Sequence, residues 1–438
     1  MFSRPIHVCH LGKYYPPAAG GIESHVQTLA RAQAEAGARV RVVCVNHIGR
    51  DGHDVTYTRY GQSKTVEDAD GPVRVTRLGR SACLARFDVI PGLPRLLLDL
   101  QYSPVDIVHL HTPNPTMLLT LAGLRISKPI VVTHHSDVIH QRFLVHVMRP
   151  LERIVYGRAA AILASSEAYA DTSGVLQRYR QKLAIVPLGC NLRPFAHPSP
   201  EARASEEELR RRFGDAPLWL CVGRCVYYKG LGTAIAALRR VPGRLMIIGQ
   251  GPLREKLRSE ASRLGVADRV IWQDHVSDAE LVGAYRAATA LWFPSNARSE
   301  AFGLVQVEAM ACGCPVINTA LVGSGVSWVS RDGESGLTVA PDDPEALARA
   351  ARRLVDSPSL REALSEGARS RAAAEFSAER MAHRSLEVYA RLLQRSATAG
   401  RIVDSVEPAP ARLQSWIRNI PSGDEDAIDT RLHDPAAV

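Results

Sequence analysis

Three features of the sequence predict an α/β protein with two similar-sized halves, each built around a parallel sheet. Short apolar runs alternate with amphipathic helical stretches, which is how βαβ units read. The alternation starts afresh after a proline-bearing linker just beyond residue 190. A chain of 438 residues, 46% hydrophobic and 23% charged, also has the length and composition of two or three ordinary globular domains.

The first half opens with an apolar strand over 6–10, a glycine- and proline-bearing loop over 12–21, an amphipathic helix over 22–36 closed by Gly37, and a second strand over 39–45. Further buried strands are predicted over 106–111, 129–133, 160–165 and 183–187. Pro194, Pro198, Pro200 and Pro217 mark the linker, which carries a charged lead-in helix over 201–212. The second series of strands runs 218–222, 244–249, 269–272, 290–293, 314–318 and 336–339. Residues 345–395 are rich in Ala, Arg, Leu and Glu and read as helices. The tail 396–438, with Pro408, Pro410, Pro421 and an acidic run at 424–426, reads as disordered. Ligands of such sheets sit beyond the carboxyl ends of the strands.

Composition narrows the function classes. The eight cysteines, Cys9, Cys44, Cys83, Cys190, Cys221, Cys225, Cys312 and Cys314, lack the paired spacing of a structural zinc site and read as reduced, mostly buried thiols of a cytoplasmic protein. No signal peptide and no eighteen-residue apolar span is expected. Net charge is +9, and residues 1–190 carry 22 Lys/Arg against 14 Asp/Glu while the remainder carries 32 against 31. That asymmetry suits an acidic partner of the first half. Nucleic acid is disfavoured, because no recognition motif or aromatic-interleaved basic stripe accompanies the charge.

An anionic membrane surface fits better. Arg74, Arg77, Arg80, Arg86 and Arg95 are interleaved with apolar residues, and Arg142, Arg149, Arg153 and Arg158 accompany a second apolar run in a helix-like pattern. A solvated face of a core helix is the competing reading of that second run.

Three loops carry chemistry. Gly20-Gly21 opens the first helix, where bare amides and the helix dipole suit a phosphate. It lacks the G-x-G-x-x-G spacing of a dinucleotide site. In the second half, Gly223-Arg224 and Lys229-Gly230 put a guanidinium and an ammonium on one strand-to-helix loop, able to neutralise a departing diphosphate. The third motif places Glu300 before a glycine turn, the amides of Gly303, Leu304 and Val305 at a helix start, and Glu308 inside an apolar helix. An unpartnered acid there is costly, so Glu308 calls for a partner, and a ligand is the expected one. The chain is read as lacking the loop-borne Asp-x-Asp of metal-dependent transferases.

Gly20-Gly-Ile-Glu23, Gly223-Arg224 with Lys229-Gly230, and Glu300-x7-Glu308 followed by Ala-Met-Ala-x-Gly-x-Pro occur in that order. This resembles the GT-B fold, family 4 retaining glycosyltransferases, over roughly residues 5–395. The run 299–308 with Asn318 and Gly325 looks most like the mannosyl- and rhamnosyltransferases of bacterial surface-polysaccharide assembly. The resemblance implies two Rossmann-like domains facing across a cleft: an acceptor-side domain over 1–190, a nucleotide-sugar domain over 191–377, and a return of helix 378–395 to the first.

The resemblance also implies transfer of a hexose from a GDP- or UDP-sugar, best matched by GDP-mannose, with no metal required. The acceptor would be a glycan or a polyprenyl-diphosphate-linked one, reached from the inner face of the cytoplasmic membrane. Gly20 and Gly21 would bind the donor, Gly21 meeting its phosphate or the attacking hydroxyl through its backbone, Arg224 and Lys229 would bind the diphosphate, Glu300 the sugar hydroxyls and Glu308 the ribose. His135, at a strand end before Ser-Asp, would contact the sugar, and His111 and Asn114 would line the acceptor side. Asp274 stands where the family has glycine, and Cys314 where lysine is common. A sugar-nucleotide 2-epimerase shares this architecture and is the alternative among enzymes.

Overall fold

The computed structural model describes residues 4–18, 20–46, 64–84, 87–137 and 142–398. The expected tail from 399, the Arg86 position and the start of the second basic run lie outside the described residues.

The first sheet collects β1 (His7–Leu11), β2 (Arg39–Val45), β3 (Val66–Asp70) and β4 (Val73–Leu78); a separate hairpin, β5 (Ala82–Leu84) and β6 (Phe87–Val89), follows. The same sheet continues with β7 (Ile107–Thr112), β8 (Ile130–His134), β9 (Ala161–Ala164) and β10 (Leu183–Ile185), in the order β10-β9-β8-β7-β1-β2-β4-β3. All pairs are parallel except β3 with β4. β7 and β8 are buried along their whole length, as strands covered by helices on both faces must be.

The second sheet is fully parallel, with β11 (Leu218–Val222), β12 (Arg244–Ile248), β13 (Val270–Gln273), β14 (Ala290–Phe293), β15 (Val316–Thr319) and β16 (Gly336–Val339) in the order β13-β12-β11-β14-β15-β16. Strand order reverses between β1 and β7 in the first sheet and between β11 and β14 in the second. Such reversals open a crevice at the carboxyl ends of the strands, and every motif picked from the sequence hangs from one of these ends or its neighbour.

The chain crosses between the two sheets twice, side by side. Cys190 N donates to Phe376 O at 3.0 Å and Ala378 N donates to Cys190 O at 2.9 Å. A Cβ on Gly189 would stand 2.5 Å from Ser377 O, so only glycine admits this approach. Beyond the crossing, the helix Ala378–Thr398 packs on the first sheet, burying Met381 and Tyr389 with Val8, Leu29, Ile107, Val131 and Leu163.

The Tyr389 hydroxyl accepts from Gln33 Nε2 at 3.1 Å and bonds His109 Nδ1 at 2.6 Å. Tyr389→Phe strands His109 Nδ1 and takes one of two acceptors from Gln33 Nε2, and should cost about 1–3 kcal/mol, read as a fall in urea midpoint at constant slope.

Two expectations need correction. Arg77 and Arg80 do not face a membrane: both are about 95% buried. Arg77 donates to Tyr15 O at 3.3 Å and Pro16 O at 2.6 Å, and Arg80 pairs with buried Asp88 at 3.2 Å. Arg158 likewise donates to the carbonyls of Leu121 and Leu124 at the end of the helix Pro115–Gly123. Of the proposed basic surface, Arg74, Arg95, Arg149 and Arg153 are exposed.

Second, an Asp-x-Asp does occur at Asp68-Ala69-Asp70, but in β3 and not on a loop. Asp68 pairs with Arg77, and Asp70 accepts from Arg31, Tyr15 and Gln27. Asp424-Glu-Asp426 lies outside the described residues. No described helix is long and apolar enough to cross a membrane.

Candidate functional site

The second crevice is built by two loops. After β11, Gly223 has a φ of 134°, and a Cβ there would press on Lys229 Cε at 3.2 Å, so the bare glycine lets the lysine stem pass. Lys229 closes a short 3₁₀ turn, and Gly230 takes the left-handed conformation that starts the helix Leu231–Leu238. After β14, the loop 294–303 brings Glu300 to Lys229: Nζ to Oε2 is 2.6 Å, with only about an eighth of each side chain exposed. Lys229 also stands 4.8 Å from the centre of the Phe293 ring.

Glu300→Ala should therefore lower stability, read as a fall in urea midpoint. Truncation would leave a mostly buried ammonium unpaired.

Gly303, at φ 81°, starts the helix Leu304–Ala311, whose first-turn amides (Leu304, Val305) have no intrahelical acceptors. The turn is braced by a satisfied buried network. Asn318 Nδ2 donates to Gln306 Oε1 at 3.0 Å and Ser330 O at 2.8 Å, and Gln306 Nε2 donates to Phe302 O at 3.0 Å.

Glu308 has the partner the sequence assigned to a ligand inside the chain itself. Tyr285 OH donates to its Oε2 at 2.8 Å. Burial raises the Glu308 carboxyl above the usual range, and this hydrogen bond partly offsets it. Tyr285 was missed, although a tyrosine in an apolar helix needs a hydrogen-bond partner and so signals one. Arg224 is exposed on the same loop, and Asp274 is engaged by Arg254.

In the first crevice, Gly20 caps the helix Gly21–Glu35 directly beyond β1, and a Cβ on Gly21 would meet open space. His135 follows β8 and donates its backbone N–H to Thr112 O. His134, its neighbour, is a core residue bonded to Tyr156 at 2.8 Å and Asp137 at 3.1 Å.

Two acceptor-side expectations are corrected. His111 is 1% exposed, with ring nitrogens engaged by His10 and His135, so it supports the crevice from below. Asn114 is a helix N-cap, accepting from Met117 N at 3.3 Å, with Pro115 at the first helical position.

Beneath the crevice lies a cluster that the sequence reading overlooked. His10, His25, His109, His111 and His135 lie within 6 Å, centroid to centroid, of their neighbouring rings, His25 edge-on to His111 and His135. Burial holds them neutral: it pulls His10 down to about 4, and, reinforced by neighbouring imidazoles, His25 to about 3 and the other three well below the ordinary value. Among the described residues, two triads, His10–His109–His111 and His25–His111–His135, have ring nitrogens within 4.8 Å of one another.

The two crevices meet through Arg298, also unpredicted. It donates to Thr172 Oγ1 at 3.0 Å and stands 3.6 Å from Asp137, two residues beyond His135. Thr172 in turn donates to Gly323 O at 3.3 Å. The loop carrying Glu300 is thus tied to the strand end carrying His135.

Comparison with known proteins agrees with this geometry. Residues 19–193 match the family described as Glycosyltransferase Family 4, and residues 204–371 match Glycosyl transferases group 1. The chain is 36% identical to the D-rhamnosyltransferase WbpZ of Pseudomonas aeruginosa over 61% of this chain and 69% of that protein. It is 28% identical to the O-antigen chain mannosyltransferase C of Escherichia coli, over 89% of this chain and 99% of that one.

Two solved structures share the fold. One is a sucrose-phosphate synthase of Thermosynechococcus elongatus (TM-score 0.69, 22% identity, 89% of this chain and 100% of that one). The other is WaaG, a glycosyltransferase of lipopolysaccharide biosynthesis (TM-score 0.60, 20% identity, 90% and 100%). Two matched family domains in order, two parallel sheets with their crevices joined, and the Glu300-x7-Glu308 loop identify this chain as a member of the family 4 glycosyltransferases of GT-B fold.

Proposed function

We propose that the protein is a retaining, metal-independent hexosyltransferase that moves mannose from GDP-mannose to a glycan or polyprenyl-diphosphate-linked acceptor in bacterial surface-polysaccharide assembly. The observation that carries this reading is the Lys229–Glu300 pair, placed by two loops at the strand-order reversal of the second sheet. Similarity to the O-antigen mannosyltransferase supports the choice of sugar and pathway.

In this reading Lys229 and the exposed Arg224 neutralise the departing diphosphate, together with the helix-start amides of Gly303, Leu304 and Val305. Gly20 and Gly21 let the first domain's helix start approach the donor phosphate. Glu300 accepts from sugar hydroxyls, Glu308 keeps its Tyr285-free oxygen for ribose, and His135 contacts the sugar from the first domain. Glu300 is already neutralised by Lys229, which suits a binding role more than that of a nucleophile; no double displacement is assigned. Docking on an anionic membrane would rest on Arg149 and Arg153, since Arg77 and Arg80 point inward.

A thermal-shift panel of GDP- and UDP-hexoses tests the donor. The matched donor at 100 times its Kd should add about 2.7 kcal/mol of stability. A larger shift with a UDP-sugar would overturn the assignment of GDP-mannose. Conversion of donor alone to its C2 epimer would replace transfer with epimerisation.

A further inference from the structure

The buried histidines form a directed chain whose polarity is set by the last helix. Ser385 Oγ donates to Ala382 O at 2.7 Å, so it must accept from Gln33 Nε2 at 2.8 Å. That fixes the Gln33 amide, and its Oε1 faces His10 Nε2 at 2.8 Å, which therefore carries the ring proton. Neutral His10 then has a bare Nδ1, which accepts His111 Nε2–H at 3.0 Å. His111, neutral in turn, presents a bare Nδ1 toward His135 Nε2 at 3.2 Å.

A second observation is independent of this chain. His25 is 3% exposed and neither of its ring nitrogens has a partner, although its ring centre lies 4.7 Å from His135 and 5.6 Å from His111. Buried polar groups are rarely left so. The candidate ligand nitrogens of all three rings lie within 4.8 Å of one another, against about 3.3 Å between nitrogens bound tetrahedrally at about 2.0–2.1 Å, so modest ring movements bring them onto one ion.

We propose that His25, His111 and His135 form a three-histidine site for a divalent transition metal of the zinc class, its fourth position left to water. Imidazole donors without a carboxylate select such ions over magnesium or calcium. His111 already donates its far N–H to His10, the arrangement that orients metal-bound histidines, with Gln33 and Ser385 behind it. Binding moves the His135 proton from Nε2 to Nδ1, so no proton is lost. In the proposed function, on which this consequence rests, His135 contacts the sugar; an ion held on its Nε2 fixes the ring and moves its proton, so it inhibits transfer and is not required for it.

The test uses the full chain, stripped by chelator and titrated with Co2+, whose tetrahedral imidazole complexes absorb in the visible. One equivalent should bind and be displaced by Zn2+. His25→Phe, which keeps an aromatic ring but offers no ligand nitrogen, should weaken binding more than tenfold, and Gln33→Leu, which removes no ligand, by about 10–100-fold. No visible bands with folded protein, or bands unchanged in His25→Phe, would overturn the site. Sugar-nucleotide thermal shifts on the same metal-free samples judge the proposed function separately. Donor stabilisation without metal binding overturns the site alone, and metal binding without donor stabilisation supports it while counting against the donor reading.

Discussion

Glu300→Gln and Lys229→Met should each lower turnover about 10²–10³-fold, the usual loss when one preorganised charge contact to a transition state is removed. Both side chains lie at the strand-order reversal of the second sheet, 2.6 Å apart and largely shielded from water. In the proposed reaction their charges would act on the diphosphate and sugar with little solvent screening. The pair also supports the loop, so each variant should cost about 1–3 kcal/mol of stability. Glutamine is preferred to alanine because it keeps an acceptor for the ammonium. Steady-state rates at saturating donor, with urea melts of the same samples, separate the two effects. Near-native turnover in Glu300→Gln would remove Glu300 from the active site.

Gly230→Ala should damage fold and activity together. Its φ of 61° is left-handed, worth about 1–2 kcal/mol against any residue with a Cβ. The added Cβ would also lie 1.9 Å from Pro294 O, a backbone atom that cannot rotate away. Either the β11 loop or the β14 loop must shift, and these are the loops that hold Lys229 and Glu300 together. Gly265→Ala supplies the control, since its φ of 67° is similar but a Cβ there meets open space. At about 2–4 °C per kcal/mol for a domain of this size, Gly230→Ala should lower Tm by well over the Gly265→Ala shift and lose most transfer activity. Equal shifts in the two variants would mean the contact with Pro294 is not limiting.

The parallel strands were legible because helices cover both of their faces, leaving continuous apolar runs such as Leu218–Val222. The edge of the first sheet was not. β3 is exposed along most of its length, and the alternating Val73–Leu78 run looked like a basic surface. Arg77 points inward, where it donates to the carbonyls of Tyr15 and Pro16, some sixty residues earlier, besides pairing with Asp68. No local pattern encodes that.

The same division holds at the site. Lys229, Glu300 and His135 were readable as strand-end residues with chemistry, and the structure puts Lys229 on Glu300. Tyr285 and Arg298 were missed because their partners come from other elements. Asn114-Pro115 before an apolar run already carried the signal of a helix cap. The histidine cluster was invisible because His10, His25, His109 and His111 come from three separate elements and meet only when β1 and β7 pair.

The central claim is that this cleft transfers a hexose with retention and without a metal. The most direct measurement is proton NMR of the anomeric signal in product formed with EDTA present, from the donor that gives the largest thermal shift. The account predicts that an α-linked donor yields an α-linked product at an undiminished rate. An inverted β-linkage, or transfer abolished by EDTA and restored by a divalent cation, would contradict it.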